Sequence, residues 1–302
     1  MLNRPNLAIL IPCLNEDKTI SEVVKGFRST FPEAEIHVCD NGSTDDTFKC
    51  AKTSGAIVTQ HPQIGKGNAL RRMFADIEAD CYVLSDGDGT YDPHEALSLI
   101  KKLEDDGLDM VVGRRNAGKE LPRHNMGNRL FNVLYRKLFS PDFSDIFSGY
   151  RAFSRRYVKS FPAVSSGFEI ETEMSVHASQ LRLPCAEVDI SYRDRIEGSE
   201  SKLRMVSDGF RVLKAMFSLL KDNRPVLLFG WLGIGFLAFA LLLGVPLVVD
   251  FAQTGLVERQ PTALLATGLA IISLAQFSLG FLLESVARGR IELKRLIYLQ
   301  TR

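Results

Sequence analysis

The sequence predicts an α/β fold, a mostly parallel sheet with helices on both faces, followed by a membrane-directed C-terminal part. Short apolar runs alternate with helix-period segments from Leu7 to about Gly113, the pattern of a sheet built from strand–helix–strand units. A polar cluster follows each run, and ligands of such sheets bind at the carboxyl ends of the strands. Further on, two uncharged stretches, Val226–Val249 and Thr262–Leu283, are each long enough to cross about 30 Å of hydrocarbon as a helix.

In order, strands are expected at Leu7–Ile11, Ile36–Cys39, Ala56–Thr59, Cys81–Ser85 and Met110–Gly113, apolar runs of strand length bounded by turn residues. Helices are expected between them, near Thr19–Arg28, Asp45–Thr53, Gly67–Ile77 and Pro93–Glu104. The run Leu7–Ile11 is broken by Pro12 and is too short for a signal peptide, so it reads as the first strand. The predicted division is a catalytic domain over 1–200, an amphipathic juxtamembrane helix over 201–224, a two-helix transmembrane hairpin over 225–287 and a basic cytoplasmic tail over 288–302.

The 302 residues carry 37 Lys+Arg against 36 Asp+Glu, a net charge of +1, which argues against the positive field of a nucleic-acid binder. Cys13, Cys39, Cys50, Cys81 and Cys185 include no Cys-x-x-Cys pair and read as reduced thiols of a cytosolic domain. His37, His61, His94, His124 and His177 lack metal-ligand spacing. No Gly-x-Gly-x-x-Gly follows the first strand, and Gly65-Lys66-Gly67 lacks the spacing of a Walker loop.

Chemistry concentrates after the fourth strand, in Asp86-Gly87-Asp88-Gly89-Thr90. Two carboxylates one residue apart suit a hard divalent cation, Mg²⁺ or Mn²⁺, held against a diphosphate. Alone, the stretch also reads as an Asp-Gly turn that ends a strand. Asp40-Asn41-Gly42-Ser43 has two compatible readings, hydrogen-bond acceptors for ribose and base, or a turn that caps the next helix.

Six motifs in order carry a resemblance: Pro12-x-x-Asn15-Glu16, Asp40-x-Gly42-Ser43-x-Asp45-x-Thr47, Gly65-Lys66-Gly67, Asp86-x-Asp88, Asp145-x-x-Ser148-Gly149-Tyr150-Arg151 and Arg195-x-x-Gly198-Ser199-x-Ser201-Lys202. Together they resemble the motifs of the GT-A inverting glycosyltransferases, in the dolichyl-phosphate mannosyltransferase-like branch of polyprenyl-phosphate glycosyltransferases. The resemblance implies a nucleotide-sugar donor framed by Pro12, Asn15, Glu16, Asp40 and Ser43, and a cation on Asp86 and Asp88. It places Asp145 through Arg151 on the acceptor side of the sugar pocket. Asp86, Asp88, Asp145, Arg195 and Lys202 become the candidate catalytic set. The sequence departs from the pattern at Asn41, where relatives often have a second Asp, and at Thr90, where they often have a metal-holding Gln.

Lys66, in a glycine-flanked loop, reads either as a phosphate or base contact or as a solvated lysine. Glu169 and Glu173 share a face of a helix opened by Gly167, with Glu171 pointing elsewhere. One of the three is a candidate for sugar hydroxyls, and at least one is expected on a solvated face. Arg193, Arg195 and Lys202, with Arg114 or Arg115 and with Arg151, are candidates for gripping an anionic acceptor. A polyprenyl phosphate is already a charged nucleophile and needs orientation more than a strong base.

Gly230, Gly233, Gly235 and Gly244 in the first apolar stretch are expected to allow close helix approach. Arg288, Arg290, Lys294, Arg295 and Arg302 follow the second stretch, whereas the loop between the two carries only Arg259. Positive-inside logic then puts both termini and the catalytic domain in the cytoplasm, with the hairpin in the inner membrane. Apolar positions from Met205 to Leu220 recur at helical spacing, which fits a helix on the membrane lipids or one packed on the catalytic domain. The predicted activity is transfer of one sugar from a nucleotide sugar, uridine-linked in preference to guanosine-linked, to undecaprenyl phosphate with inversion. The rivals are a polysaccharide synthase and a non-catalytic membrane scaffold; the first lacks its usual Gln-x-x-Arg-Trp, since the single Trp231 lies in an apolar stretch. Assembly with further copies of the chain stays open.

Overall fold

The computed structural model describes residues 6–115, 132–133, 135–137, 143–193, 217–218, 220–222 and 224–301. The chain divides into two compact units, one of Met1–Leu213 with Lys294–Arg302 and one of Lys214–Leu293.

The first unit is built on a seven-stranded sheet in the order β3-β2-β1-β4-β6-β5-β7. The expected strands are present as β1 (Leu7–Cys13), β2 (Glu35–Asp40), β3 (Ile57–Gln60), β4 (Cys81–Leu84) and β5 (Met110–Arg115). The expected helices are α1 (Ile20–Thr30), α2 (Thr47–Thr53), α3 (Lys66–Asp76) and α4 (Ala96–Asp105), the last preceded by a 3₁₀ turn at Pro93–Glu95. Strand β1 pairs in parallel with β2 on one side and β4 on the other, and four of its residues, Ala8 to Ile11, are fully covered. That is why it reads as an unbroken apolar run rather than an alternating one. Ile9, Ile11, Val24, Phe27, Val38, Val83, Leu99 and Val111 form the core of one face, each burial worth roughly 1.5–3 kcal/mol.

Two strands were not expected. Strand β6 (Arg151–Ser154) runs antiparallel between β4 and β5, and β7 (Cys185–Ile190) pairs in parallel with β5. Four residues that begin with an arginine give no strand signal, yet Arg151 is completely buried. Helices α5 (Arg155–Ser160) and α6 (Ile170–Leu181) connect β6 to β7. The chain crosses from one side of β1 to the other between β2 and β4, so a crevice opens at the carboxyl ends of β1 and β4.

The second unit contains α7 (Pro225–Thr254) and most of α8 (Gln260–Gln300). Both are long and apolar enough to cross a membrane by length and composition. Of the four glycines expected to permit close approach, Gly233 does so: an added Cβ would lie 3.1 Å from the Phe277 ring, and its carbonyl accepts from Ser273 Oγ at 2.8 Å. Gly230 and Gly235 have no neighbour there, which corrects that expectation for those two.

Where a basic tail was expected over 288–302, α8 continues as helix to Gln300, and Lys294–Arg302 belong to the first unit. There Tyr298 Oη donates to Asp109 Oδ2 at 2.7 Å and Lys294 Nζ to Gln180 Oε1 at 3.1 Å. The predicted amphipathic helix over 201–224 lies almost wholly outside the described residues.

Candidate active site

The loops after β1 and β2 are stitched to each other. Asn15 adopts a left-handed φ of 52°, a conformation that asparagine tolerates better than most residues. Its backbone N–H donates to Ser43 Oγ at 2.9 Å, and its Oδ1 accepts from Thr44 N at 2.8 Å. Glu16 N donates to Thr47 Oγ1, and Asp40 Oδ1 accepts from Ser43 N at 3.0 Å. Asn15, Glu16, Asp40 and Ser43 thus form one connected cluster at the crevice, beside Pro12 at the end of β1.

Asn41 explains itself in the structure. Its Nδ2 donates to Gln63 O at 2.6 Å and its Oδ1 accepts from Gly65 N. An aspartate could accept from Gly65 but could not donate to Gln63. Asn41 therefore fixes the loop that delivers Lys66, a role the sequence reading missed.

Past β4, the Asp86–Thr90 turn faces the same crevice. Asp88 is buried, and its Oδ1 accepts from Thr90 N at 3.1 Å and from Thr90 Oγ1 at 2.6 Å. Thr90 therefore orients Asp88, with its hydroxyl proton committed to that carboxylate. Among the described residues no group of three or more His, Cys, Asp or Glu side chains forms a metal cage. One or two carboxylates completed by phosphate oxygens and water is how Mg²⁺-type sites are commonly built, so the hard oxygen donors of Asp86 and Asp88 fit such a cation.

Lys66 occupies the centre. Its Nζ lies 2.5 Å from Asp86 Oδ1 and 2.6 Å from Glu171 Oε1, with its side chain only 8% exposed. Burial works against the charge, but Asp86 and Glu171 outweigh it and hold the lysine pKa above its ordinary value. For Glu171, burial dominates and raises the carboxyl pKa, although Lys66 pulls it down. Of the two readings of Lys66, the solvated one is excluded. Its flanking glycines let α3 meet the 165–166 backbone, where Gly67 N donates to Ser166 O at 3.0 Å and an added Cβ would collide.

The three glutamates separate in the same place, and of them only the half-buried Glu169 fits the solvated face expected for at least one. Glu171 and Glu173 are both buried in the first turn of α6, where a carboxylate also complements the helix dipole. Glu173 accepts from Val164 N and Ser165 N at 2.9 and 2.7 Å, while Glu169 accepts from Gly167 N.

The arginines expected to hold an acceptor divide into two kinds. Arg151 is corrected outright: it is completely buried and donates to Ser148 O, Ile146 O and Ser175 Oγ, so it braces the 146–148 turn from inside. Arg115 is forked onto Asp145, with both contacts at 2.7 Å and the two side chains 21% and 12% exposed. Asp145 therefore positions Arg115 in this structure instead of offering a free carboxylate to a substrate. Arg114 pairs with Asp189, and Arg193 with Asp92, each at 2.5 Å and at the surface. Exposed pairs of this kind are worth about 0–1 kcal/mol, so opening them costs the fold little. Arg195 and Lys202 lie outside the described residues.

Tyrosines join these parts. Tyr91 and Tyr150 stack with centroids 4.9 Å apart, and Tyr91 Oη accepts from Gly149 N at 3.0 Å. Arg193 N donates to Thr90 O at 3.0 Å, so the chain reaches Arg193 alongside the Asp86–Thr90 turn.

Comparison with known proteins accounts for this arrangement. Residues 8–161, about half of the chain, match the model of glycosyl transferase family 2. Glycosyltransferase AglJ of Haloferax volcanii is 35% identical over 250 residues, covering 81% of each chain. The dolichyl-phosphate hexose transferase of the same organism is 30% identical over 224 residues, covering 72% of this chain and 96% of the relative. A crystal structure of glucosyl-3-phosphoglycerate synthase from Mycobacterium tuberculosis with Mn²⁺, UDP-glucose and phosphoglyceric acid superimposes with a TM-score of 0.60. It is 25% identical and covers 72% of this chain and 80% of that one. The chain belongs to glycosyl transferase family 2 and is a glycosyltransferase of GT-A fold.

Proposed function

We propose that this glycosyltransferase is anchored in the cytoplasmic membrane and moves a single sugar from a uridine-linked nucleotide sugar to a polyprenyl phosphate. The observation that carries the acceptor reading is the Arg193–Thr90 backbone hydrogen bond. It brings the chain to the edge of the carboxylate turn just before the segment 194–224, which leads into two helices of membrane-spanning length. A lipid-borne phosphate approaches only along a bilayer surface, and in sequence this segment lies between the crevice residues and the apolar helices. The relatives include a transferase named for a dolichyl-phosphate acceptor and a structure bound to UDP-glucose and Mn²⁺, which supports both the lipid phosphate and the uridine donor.

In this reading Asn15, Glu16, Asp40 and Ser43, beside Pro12, hold base and ribose. Asp86 and Asp88 hold a divalent cation, which when bound neutralises the charge developing on the departing diphosphate. One lipid phosphate oxygen attacks the anomeric carbon in line, a new C–O bond forms, the bond to the nucleoside diphosphate breaks, and configuration inverts. The attacking oxygen is already anionic, so orientation by Arg114, Arg193 and the basic residues Arg195 and Lys202 replaces a general base. The positive-inside distribution supports a cytoplasmic crevice and cytoplasmic termini.

The test varies the acceptor. Arg195→Lys, which replaces a planar fork by a point charge, and Lys202→Ala should each lower transfer at limiting polyprenyl phosphate while membrane retention is unchanged. Unaltered transfer in both variants would remove this segment from the acceptor site. A tag near Gly255 should be reachable from outside intact cells and tags at the two termini should not; an accessible C-terminus would contradict the hairpin.

A further inference from the structure

Lys66 is a buried cation placed on a carboxylate that the proposed function assigns to a metal. Its ammonium sits between Asp86 Oδ1 and Glu171 Oε1, at 2.5 and 2.6 Å. The site is closed around it: a Cβ added at Gly149 would lie 2.6 Å from Asp86 Oδ2 and 3.0 Å from Lys66 Nζ, and the Phe168 ring centroid is 5.9 Å from Nζ. Two carboxylates brought this close without a cation would be strongly unfavourable out of water. Lys66 supplies that cation from the chain itself.

An ammonium and a divalent cation on the same carboxylate repel each other. The two partners of Lys66 are unequal in this respect, because Asp86 belongs to the Asp86–Asp88 turn whereas Glu171 comes from α6 on the other side of the ammonium. The geometry points to an exchange device, which rests on the reading of Asp86 and Asp88 as cation ligands. Lys66 is a resident counter-ion that holds Asp86 while the site is empty and is displaced from it by the arriving divalent cation. Glu171 is the positioning residue that keeps the displaced ammonium anchored in the crevice wall. Lys66 thus offsets part of the crevice's negative charge before loading, and afterwards it stays beside the place where a diphosphate would lie.

The two residues then have opposite effects on metal binding, which a merely structural role would not produce. The experiment titrates Mn²⁺ alone into the detergent-purified full chain, without nucleotide or acceptor, and follows free Mn²⁺ by electron paramagnetic resonance. Lys66→Met removes the competitor and should bind Mn²⁺ about tenfold more tightly than wild type. Glu171→Gln leaves the displaced ammonium without an anion and should bind about tenfold more weakly. In the Lys66→Met background the Glu171→Gln effect should shrink, because no ammonium remains to be held; an undiminished effect would make Glu171 a direct ligand and overturn its positioning role. Binding by Lys66→Met that equals or falls below wild type, including no binding in either, overturns the exchange. Thermal unfolding of each variant checks folding, and if Lys66→Met does not fold, Lys66→Gln carries the same expectation. Asp88→Asn separates this idea from the reading beneath it. If Asp88→Asn loses Mn²⁺ while Lys66→Met matches wild type, only the exchange fails. If Asp88→Asn binds as wild type does, the cation reading of the turn fails as well.

Discussion

The wall and the rim of the crevice handle charge differently. In the wall, Lys66 with Asp86 and Glu171, and Arg115 with Asp145, are ion pairs largely withdrawn from water. At the rim the distances are comparable, but Arg114 and Asp189 are both exposed, and Arg193 is exposed over a half-buried Asp92. Equal geometry does not mean equal energy, since a buried pair that loses one member leaves a stranded charge, whereas an exposed pair is replaced by water. Wall charges are therefore costly to disturb, and rim charges, which the proposed function gives to the acceptor, are cheap to rearrange.

The largest expected effect lies in the turn that joins the two. Asp88→Ala should lower sugar transfer about a hundredfold or more, a loss far beyond that from the roughly 1–3 kcal/mol destabilisation expected on leaving the buried Thr90 donors unpaired. Full activity of that variant in the presence of a chelator would break the assignment. Next comes the wall: Arg115→Ala strands Asp145 and should destabilise the protein by about 3 kcal/mol, toward the low end for a buried pair. Arg115→Met with Asp145→Leu should recover much of that loss in denaturant unfolding. An Arg115→Ala variant as stable as wild type would place this pair with the rim.

A buried group with no counter-charge sharpens the contrast through pH. Burial, reinforced by the Lys294 charge, holds His177 at a pKa of about 3 against an ordinary 6.5. Its Nε2 lies 3.1 Å from Ser160 Oγ, and Nδ1 has no hydrogen-bond partner among the described residues. The folded-state pKa is depressed, so protons bind the unfolded chain first. His177 should then contribute its full stability above about pH 6.5 and lose it progressively as pH falls toward 3. Unfolding midpoints of wild type and His177→Phe should converge with that acidification; parallel curves would show that His177 does not titrate on unfolding. The smallest effects belong to the rim, where Arg114→Ala and Arg193→Ala should each change stability by less than about 1 kcal/mol. Their effect on transfer should appear as a raised KM for the lipid acceptor with kcat little changed.

The same division explains what the sequence made legible. Strands β1, β2, β4 and β5 were readable because buried strands are apolar on both faces, and the edge strand β3 from its short β-branched run between turn residues; all five boundaries came within a few residues. The carboxylate turn and the Asn15–Ser43 cluster were readable because polar motifs at strand ends have nowhere else to face. Strand β6 was not, because Arg151 looks like a surface residue until its inward partners on Ile146, Ser148 and Ser175 are seen. Glu171 was hidden for a related reason: it points away from the face that Glu169 and Glu173 share, and Lys66, its partner, is 105 positions away. The spacing after Gly167 was the available signal, together with a lysine held between two glycines. Asn41 was legible only as a departure from the family pattern, and its reason lies in the loop it holds.

The central claim, metal-assisted transfer of one sugar to a lipid phosphate, is tested most directly by combining membranes containing the protein with a labelled uridine-linked sugar and undecaprenyl phosphate. The account predicts label entering the organic-extractable lipid only when both the lipid phosphate and Mn²⁺ or Mg²⁺ are present, and not with Asp88→Ala. Lipid labelling that persists in chelator, or label that enters a water-soluble product and never the lipid, would contradict it.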